Sequence, residues 1–254
     1  MKAEIYPPLR RSLEEDRLVA LATVVGGPEE LLGNQLLIWG DGTTRGELGA
    51  AELAAAVRER AAEAFRSFAS ERFDVAVRGA TADVFLEIHP PRRKLVVVGA
   101  VHVAIPLVGF AKELGFRTCV VDPRTAFATP ERFAHADELL TLWPDEALAK
   151  IGLDESTYLA LLSHDLKLDV PAILAALPSP TRYIGALGSK KTHARRLAAL
   201  REEGATDDDL ATIHNPIGYD LGGRRAEEMA LAILAEIVAV SHGRDLRRGT
   251  PEPR

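Results

Sequence analysis

The sequence predicts an α/β protein: a C-terminal Rossmann-like, doubly wound parallel sheet preceded by a small α+β domain. Three features carry that expectation. From Leu95 onward, apolar runs of strand length alternate with segments of helix length, as repeated βα units with right-handed crossovers require. Runs such as Leu95 to Val98 are apolar on both faces, as a parallel strand covered by helices on each side must be. The 254 residues are 47% hydrophobic and 27% charged, an ordinary globular balance in a chain long enough for one large domain or two small ones.

The N-terminal domain is expected over residues 1–91. "LVALATVV" and "NQLLIWGDG" are rich in β-branched, aromatic and aliphatic residues and read as strands. "ELGAAELAAAVRERAAEAFRSF" is alanine-rich with helical spacing and reads as a helix. "FDVAV" and "ADVFLEIH", joined through "RGAT", read as a hairpin. "HPPRRK", His89 to Lys94, places two prolines and three basic residues together and marks the boundary.

The C-terminal domain is expected over residues 92–254. "KLVVVGA" is a strand followed by a helix ending near Gly115. "FRTCVVD", "ADELLTLW", "TYLALLSHD" and "RYIGALGS" supply four more strands. The last helix, about Arg225 to Val240, carries a broad apolar stripe of Met229, Leu231, Ile233, Leu234, Ile237 and Val238. The tail "RRGTPEPR" reads as disordered.

Composition excludes several classes. Net charge is −6, against general nucleic-acid affinity. A single cysteine, Cys119, excludes an internal disulfide framework and any multi-cysteine metal site. The most apolar stretch, Leu95 to Ala111, is broken by Gly99, His102 and Pro106, which argues against a membrane span. "MKAEIYPPLRRSLEEDR" is charged and carries no apolar run, so no secretory signal is expected and the location expected is cytoplasmic.

In a sheet of this kind ligands bind beyond the carboxyl ends of the strands, at the switch point of strand order. The first such loop is "GAVHVA". Gly99 and Ala104 occupy the first and last places of the G-x-G-x-x-G/A pattern, but Val101 stands at the middle glycine. A β-branched side chain there crowds a pyrophosphate, while a single phosphate on the helix N-terminus is still accommodated. A plain strand-to-helix turn explains the stretch equally well. His102 is a candidate anion or metal contact, or a structural histidine. Asp122 follows at about the 20-residue spacing of a ribose-binding acid, although "DPR" also reads as a turn. Arg124 beside it favours a phosphate-bearing ligand. His164 and Asp165 end the fourth strand run without forming a metal pair by themselves.

"YIGALGSKKTHARR" carries the most information. Gly185 and Gly188 loosen the strand end, and Ser189 can cap the helix that follows. Lys190, Lys191, His193, Arg195 and Arg196 come next, and cations at a helix start oppose its dipole. A solvated basic face is one reading; a bound anion relieving that cost is the other. "HNPIGYDLGG", with Pro216 and Gly218, forms a constrained loop over the sheet end. No G-x-S-x-G elbow, Walker lysine loop or HExxH occurs, so no catalytic residue is assigned.

Taken together, "VVGAVHVA", "VVDPR", "FATPERF", "SHDLKLD", "YIGALGSKKTHARR" and "PIGYDLGGRRAEEMALAILAEIVA" resemble the XdhC/CoxI family of xanthine dehydrogenase accessory proteins, from about Lys94 to about Val240. The resemblance implies a chaperone that binds the molybdenum cofactor (molybdopterin), helps it gain its terminal sulfur from a cysteine desulfurase, and passes it to an apo molybdenum hydroxylase. It implies cofactor contacts at Gly99, His102, Asp122, Arg124, His164, Asp165, Gly185, Gly188, Ser189, Pro216 and Gly218. The family commonly has glycine where Val101 stands. It also carries a Ser-Gly-Gly-Cys element in its N-terminal half, where this chain reads "GELGAAEL"; no cysteine precedes Cys119. A thiolate ligand to molybdenum from that half is excluded, and Cys119, mid-strand, reads as a buried inert thiol. Family members self-associate, so a homodimer is implied; the apolar stripe of the last helix serves that or a core. Two other readings stay open: an NAD(P)-dependent oxidoreductase, for which His164 is the one nameable proton donor and against which Val101 counts, and a binding module that keeps the fold without a cofactor.

Overall fold

The structure is a computed structural model and describes residues 4–244; the tail "RRGTPEPR" lies outside them. The chain forms two compact units, divided between Pro91 and Arg92.

In the first unit, α1 (Tyr6–Glu14) precedes β1 (Val19–Gly26), β2 (Gln35–Trp39), β3 (Thr44–Glu47), α2 (Ala51–Ser67), β4 (Glu71–Val77) and β5 (Ala80–His89). The strands form an antiparallel sheet in the order β3-β2-β1-β5-β4. The two-residue period of β1 sorts its side chains between two cores. Ala20, Ala22 and Val24 face a cluster under α2, which contributes Leu53, Val57, Ala61 and Ala64. Val19 and Leu21 face the other way, toward Ile5 and Leu9 of the N-terminal segment. The β4–β5 hairpin turns on Arg78 and Gly79, both at positive φ, which matches the twist of the flanking strands.

In the second unit, β6 (Lys94–Val98) leads to α3 (Ala104–Glu113), β7 (Arg117–Val121), β8 (Glu138–Leu140) and α4 (Pro144–Ile151). Then come β9 (Thr157–Leu161), α5 (Leu166–Ala176), β10 (Tyr183–Ala186), α6 (Lys190–Glu202), α7 (Asp207–Ala211), β11 (Ile213–His214) and α8 (Ala226–Ser241). All pairings are parallel, in the order β8-β7-β6-β9-β10-β11. This is the strand order of a dinucleotide-binding sheet, with its switch point between β6 and β9. The apolar run of β6 is buried on both faces. Leu95 and Val97 join the α3 and α8 side, while Val96 and Val98 join the α4, α5 and α6 side. Sequence reading finds five of these six strands. The sixth, β11, is two residues long and carries no run; only its pairing with β10 defines it. No helix among the described residues is long and apolar enough to cross a membrane.

Candidate functional site

The loops that leave β6 and β9 meet at the switch point. Gly99 has a φ of +106°, and a Cβ there would lie 2.8 Å from the backbone nitrogen of Ser163. Its glycine is therefore required by the close approach of another loop, independently of any ligand. Val101 is half buried and packs against the core cluster. His102 is exposed. Helix α3 begins without a side-chain cap and without an acid in its first turn.

Asp122, fully buried at the end of β7, spends its carboxylate inside the chain. Oδ2 accepts from the Ala100 N–H at 2.8 Å and from Arg124 Nη2 at 2.8 Å. Oδ1 accepts from the Arg124 N–H at 3.0 Å and from its Nε at 2.8 Å. Burial pushes this carboxyl up, but the Arg124 side chain and the two backbone donors outweigh it and hold the group below its usual range. The Arg124 guanidinium also lies 4.6 Å over the ring of Phe127. The acid that could have received a ribose hydroxyl instead ties the β7 loop to the Gly99 turn.

Beyond β9, His164 is exposed and in the left-handed region at φ +57°. Asp165 caps α5 by accepting from the Lys167 N–H at 3.0 Å. Ser163 Oγ donates to Asp169 Oδ1 at 2.6 Å. Asp169 Oδ2 accepts from Arg196 Nε at 3.1 Å and Nη2 at 2.7 Å. Arg196 Nη2 also donates to the Leu187 carbonyl at 2.8 Å. Asp169 and Arg196 both have fully buried side chains. This departs from the sequence reading of a continuous basic face. Arg196 turns inward because α6 packs on α5, and a buried cation must be paired. Lys190 and Lys191 remain exposed. Ser189 caps α6 as its sequence predicts, accepting from the Thr192 N–H at 3.2 Å.

Gly185 lies within β10, where a Cβ would collide with the Tyr183 hydroxyl and sit 2.7 Å from Ile217 Cγ1. It is a packing glycine rather than a loosened strand end. After β11, the Asn215–Pro216 peptide is cis, and Gly218 donates its N–H to Glu236 Oε2 at 2.7 Å. Glu236 Oε2 also accepts from the Tyr183 hydroxyl at 2.6 Å, and its Oε1 lies 2.9 Å from His214 Nδ1.

Sequence reasoning missed Ser163, Asp169 and Glu236. A lone acid inside an apolar helical run is the signal that marks two of them: Asp169 in "LDVPAILAAL" and Glu236 in "ALAILAEIVAV". Among the described residues no group of three or more His, Cys, Asp or Glu side chains could hold a metal. Burial, and then the charge of Glu138, pushes the Cys119 thiol up to about 12, so it supplies no thiolate. What the rim offers is exposed cations, helix N-termini and loops fixed from below by buried charge.

Two family profiles match this chain: the XdhC Rossmann domain over residues 95–237 and the XdhC and CoxI family over residues 12–75. The uncharacterized protein YqeB of Escherichia coli K12 is 27% identical over 220 residues, 82% of this chain and 40% of that one. The molybdenum cofactor insertion chaperone PaoD of the same organism is 33% identical over 136 residues, 50% of this chain and 42% of that one. A protein of Bacillus subtilis named as a probable xanthine dehydrogenase component is 27% identical over 158 residues, 62% of this chain and 46% of that one. The chain thus spans less than half the length of each of these relatives. A crystal structure described as a xanthine dehydrogenase of Bacillus halodurans shares the fold at 19% identity, with a TM-score of 0.54 over 96% of this chain and 97% of that one.

Proposed function

The chain belongs to the XdhC and CoxI family, and on that footing we propose that it is an accessory protein that binds molybdenum cofactor and delivers it to an apo molybdenum hydroxylase. The observation that carries the reading is the switch point itself. A sheet of dinucleotide-binding order has its ribose-binding acid position, Asp122, consumed by Ala100 and Arg124. The likeness to a molybdenum cofactor insertion chaperone supports the same reading.

The residues present suit the phosphorylated pterin end of such a cofactor better than its metal end. Exposed Lys190 and Lys191 lie at a helix N-terminus, a setting that favours phosphate. Cys119 is buried and held as a thiol, so this chain supplies no sulfur ligand from it. In this reading Gly99, Val101 and His102 border the cofactor on the β6 side. Arg124, His164 and Asp165 border it next, and Gly188, Ser189, Pro216 and Gly218 on the β10 and β11 side. When bound, the cofactor supplies the redox chemistry of the client enzyme. The chain's part is to grip, shield and release. A cysteine desulfurase as second partner, a homodimer and a cytoplasmic location belong to the same proposal.

An NAD(P)-dependent oxidoreductase is the competing reading, favoured by the strand order alone. Parallel titration of the purified protein with molybdenum cofactor, NAD and NADP separates the two. We expect retention of molybdenum cofactor and its transfer to an apo-hydroxylase. Tight nicotinamide binding with turnover would overturn the proposal.

A further inference from the structure

We propose that the head of α6 is a binding site for a phosphate monoester, with the buried guanidinium of Arg196 as its floor. It deepens the reading above, since a pterin phosphate is the ligand that reading supplies, but the site is defined by this chain's own residues.

Two independent observations point to it. The first is the helix end. Ser189 takes the N–H of Thr192, which leaves the N–H groups of Lys190 and Lys191 as the open donors of a 13-residue helix. Both lysine side chains are exposed, and the first turn contains no acid. Two cations therefore sit at the positive end of the helix dipole, an arrangement that a bound anion reverses from unfavourable to favourable.

The second observation is Arg196. Its side chain is fully buried. The edge formed by Nε and Nη2 is spent on Asp169, and Nη2 also serves the Leu187 carbonyl. Nη1 is buried and has no partner. A guanidinium is a planar fork, so Nη1 lies on the edge away from Asp169. The Leu187–Gly188 turn meets the guanidinium on its Nη2 side: a Cβ on Gly188 would stand 3.2 Å from the Thr192 side chain and 3.6 Å from Nη2. A buried donor left without an acceptor is rare in folded proteins and asks for an explanation. An oxygen of an anion seated at the helix head, beside the Leu187–Gly188 turn, supplies that acceptor. His193 Nδ1, one turn into the same helix, is also buried without a partner.

The chemistry selects a phosphate monoester. The donors are two backbone N–H groups, Nη1 and two ammonium groups, and a terminal dianion with three open oxygens can engage several at once. Asp169 holds Arg196 in register and acts as a positioning residue.

The test titrates the full chain with inorganic phosphate and with glycerol phosphate, following amide and arginine side-chain NMR signals. We expect saturable binding, with the largest shifts at Lys190, Lys191 and Arg196. Burial, and next the charge of Arg196, holds the His193 imidazole low; phosphate should raise its titration midpoint. Lys190→Glu with Lys191→Glu should weaken phosphate at least tenfold. Arg196 variants alone risk unfolding, so Asp169→Leu is combined with Arg196→Met, a swap that removes both buried charges together. That variant should keep its Tm and lose phosphate affinity tenfold. Unchanged affinity in the lysine variant or in the paired variant overturns the site. A wild-type chain that retains molybdenum cofactor but ignores phosphate overturns the site and leaves the accessory function standing. One that binds phosphate but not the cofactor does the reverse.

Discussion

In the N-terminal unit the ion pairs lie at the surface: Arg10 with Glu14, Arg60 with Glu71, Arg72 with Asp83. In the C-terminal unit four charged side chains are buried, Asp122, Asp169, Arg196 and Glu236, and among the described residues these are the buried charges. Each ties a loop or helix start at the carboxyl side of a parallel strand to something else. Asp122 joins the β7 loop to the Gly99 turn, Asp169 with Arg196 joins the β9 and β10 loops, and Glu236 holds Gly218 after β11. Buried charge is costly and seldom adds net stability. This chain accepts that cost where a rim of loops must be held in one arrangement, and avoids it where a sheet needs only an apolar core.

The contrast between the units is most exposed to test at Asp169. Asp169→Ala leaves Arg196 buried and uncompensated, and should cost about 3–5 kcal/mol by denaturant unfolding. A loss no larger than that of an ordinary surface substitution would mean that the pair is not held in the interior.

A pair of glycines resolves it more finely. Gly99→Ala combines a positive φ with a Cβ 2.8 Å from the Ser163 nitrogen, and should cost about 2–3 kcal/mol. Gly79→Ala, in the N-terminal hairpin, has a φ of +80° but nothing within 4 Å. It should cost only about 1–2 kcal/mol. Equal losses would mean that the Gly99–Ser163 approach adds nothing.

Acid separates the units further. The Asp122 carboxyl is lowered in the folded chain. Its contribution is therefore complete above the usual aspartate range and is lost as pH falls through that range toward its lowered folded value. Urea unfolding of wild type and Asp122→Asn should differ at neutral pH, about 7, and the gap should narrow as pH falls below the ordinary aspartate value of about 3.9; a constant gap would contradict the assignment. The smallest effect is expected at Arg72→Ala, where an exposed pair is lost. The unfolding midpoint should stay within error.

Much of the fold is legible in local pattern. The double-faced apolar run of β6, the alanine-rich α2 and the Ser189 cap all form as read, because each depends on neighbours within a few residues. The short elements are not. α1, β3 and α7 pass unmarked, and β11 exists only through Ile184↔Ile213 and Gly185↔His214 pairing. At the rim the same division holds. Gly99 is legible as a glycine that the turn requires, but not that Ser163 is what requires it. Arg196 is legible as a cation, but its burial depends on Asp169, 27 residues away.

The longer strands and helices, the βα rhythm of the C-terminal unit and the family to which the chain belongs can all be read from the residues in line. They follow from periodicity, caps and motifs, which act over short stretches of chain. Which charges are spent inside the molecule, and which are left to meet a ligand, emerges only when the chain is folded. Asp122 and Arg196 have the same side chains wherever they stand. Whether they bind a partner or brace a loop depends on which distant backbone and side-chain groups folding brings against them.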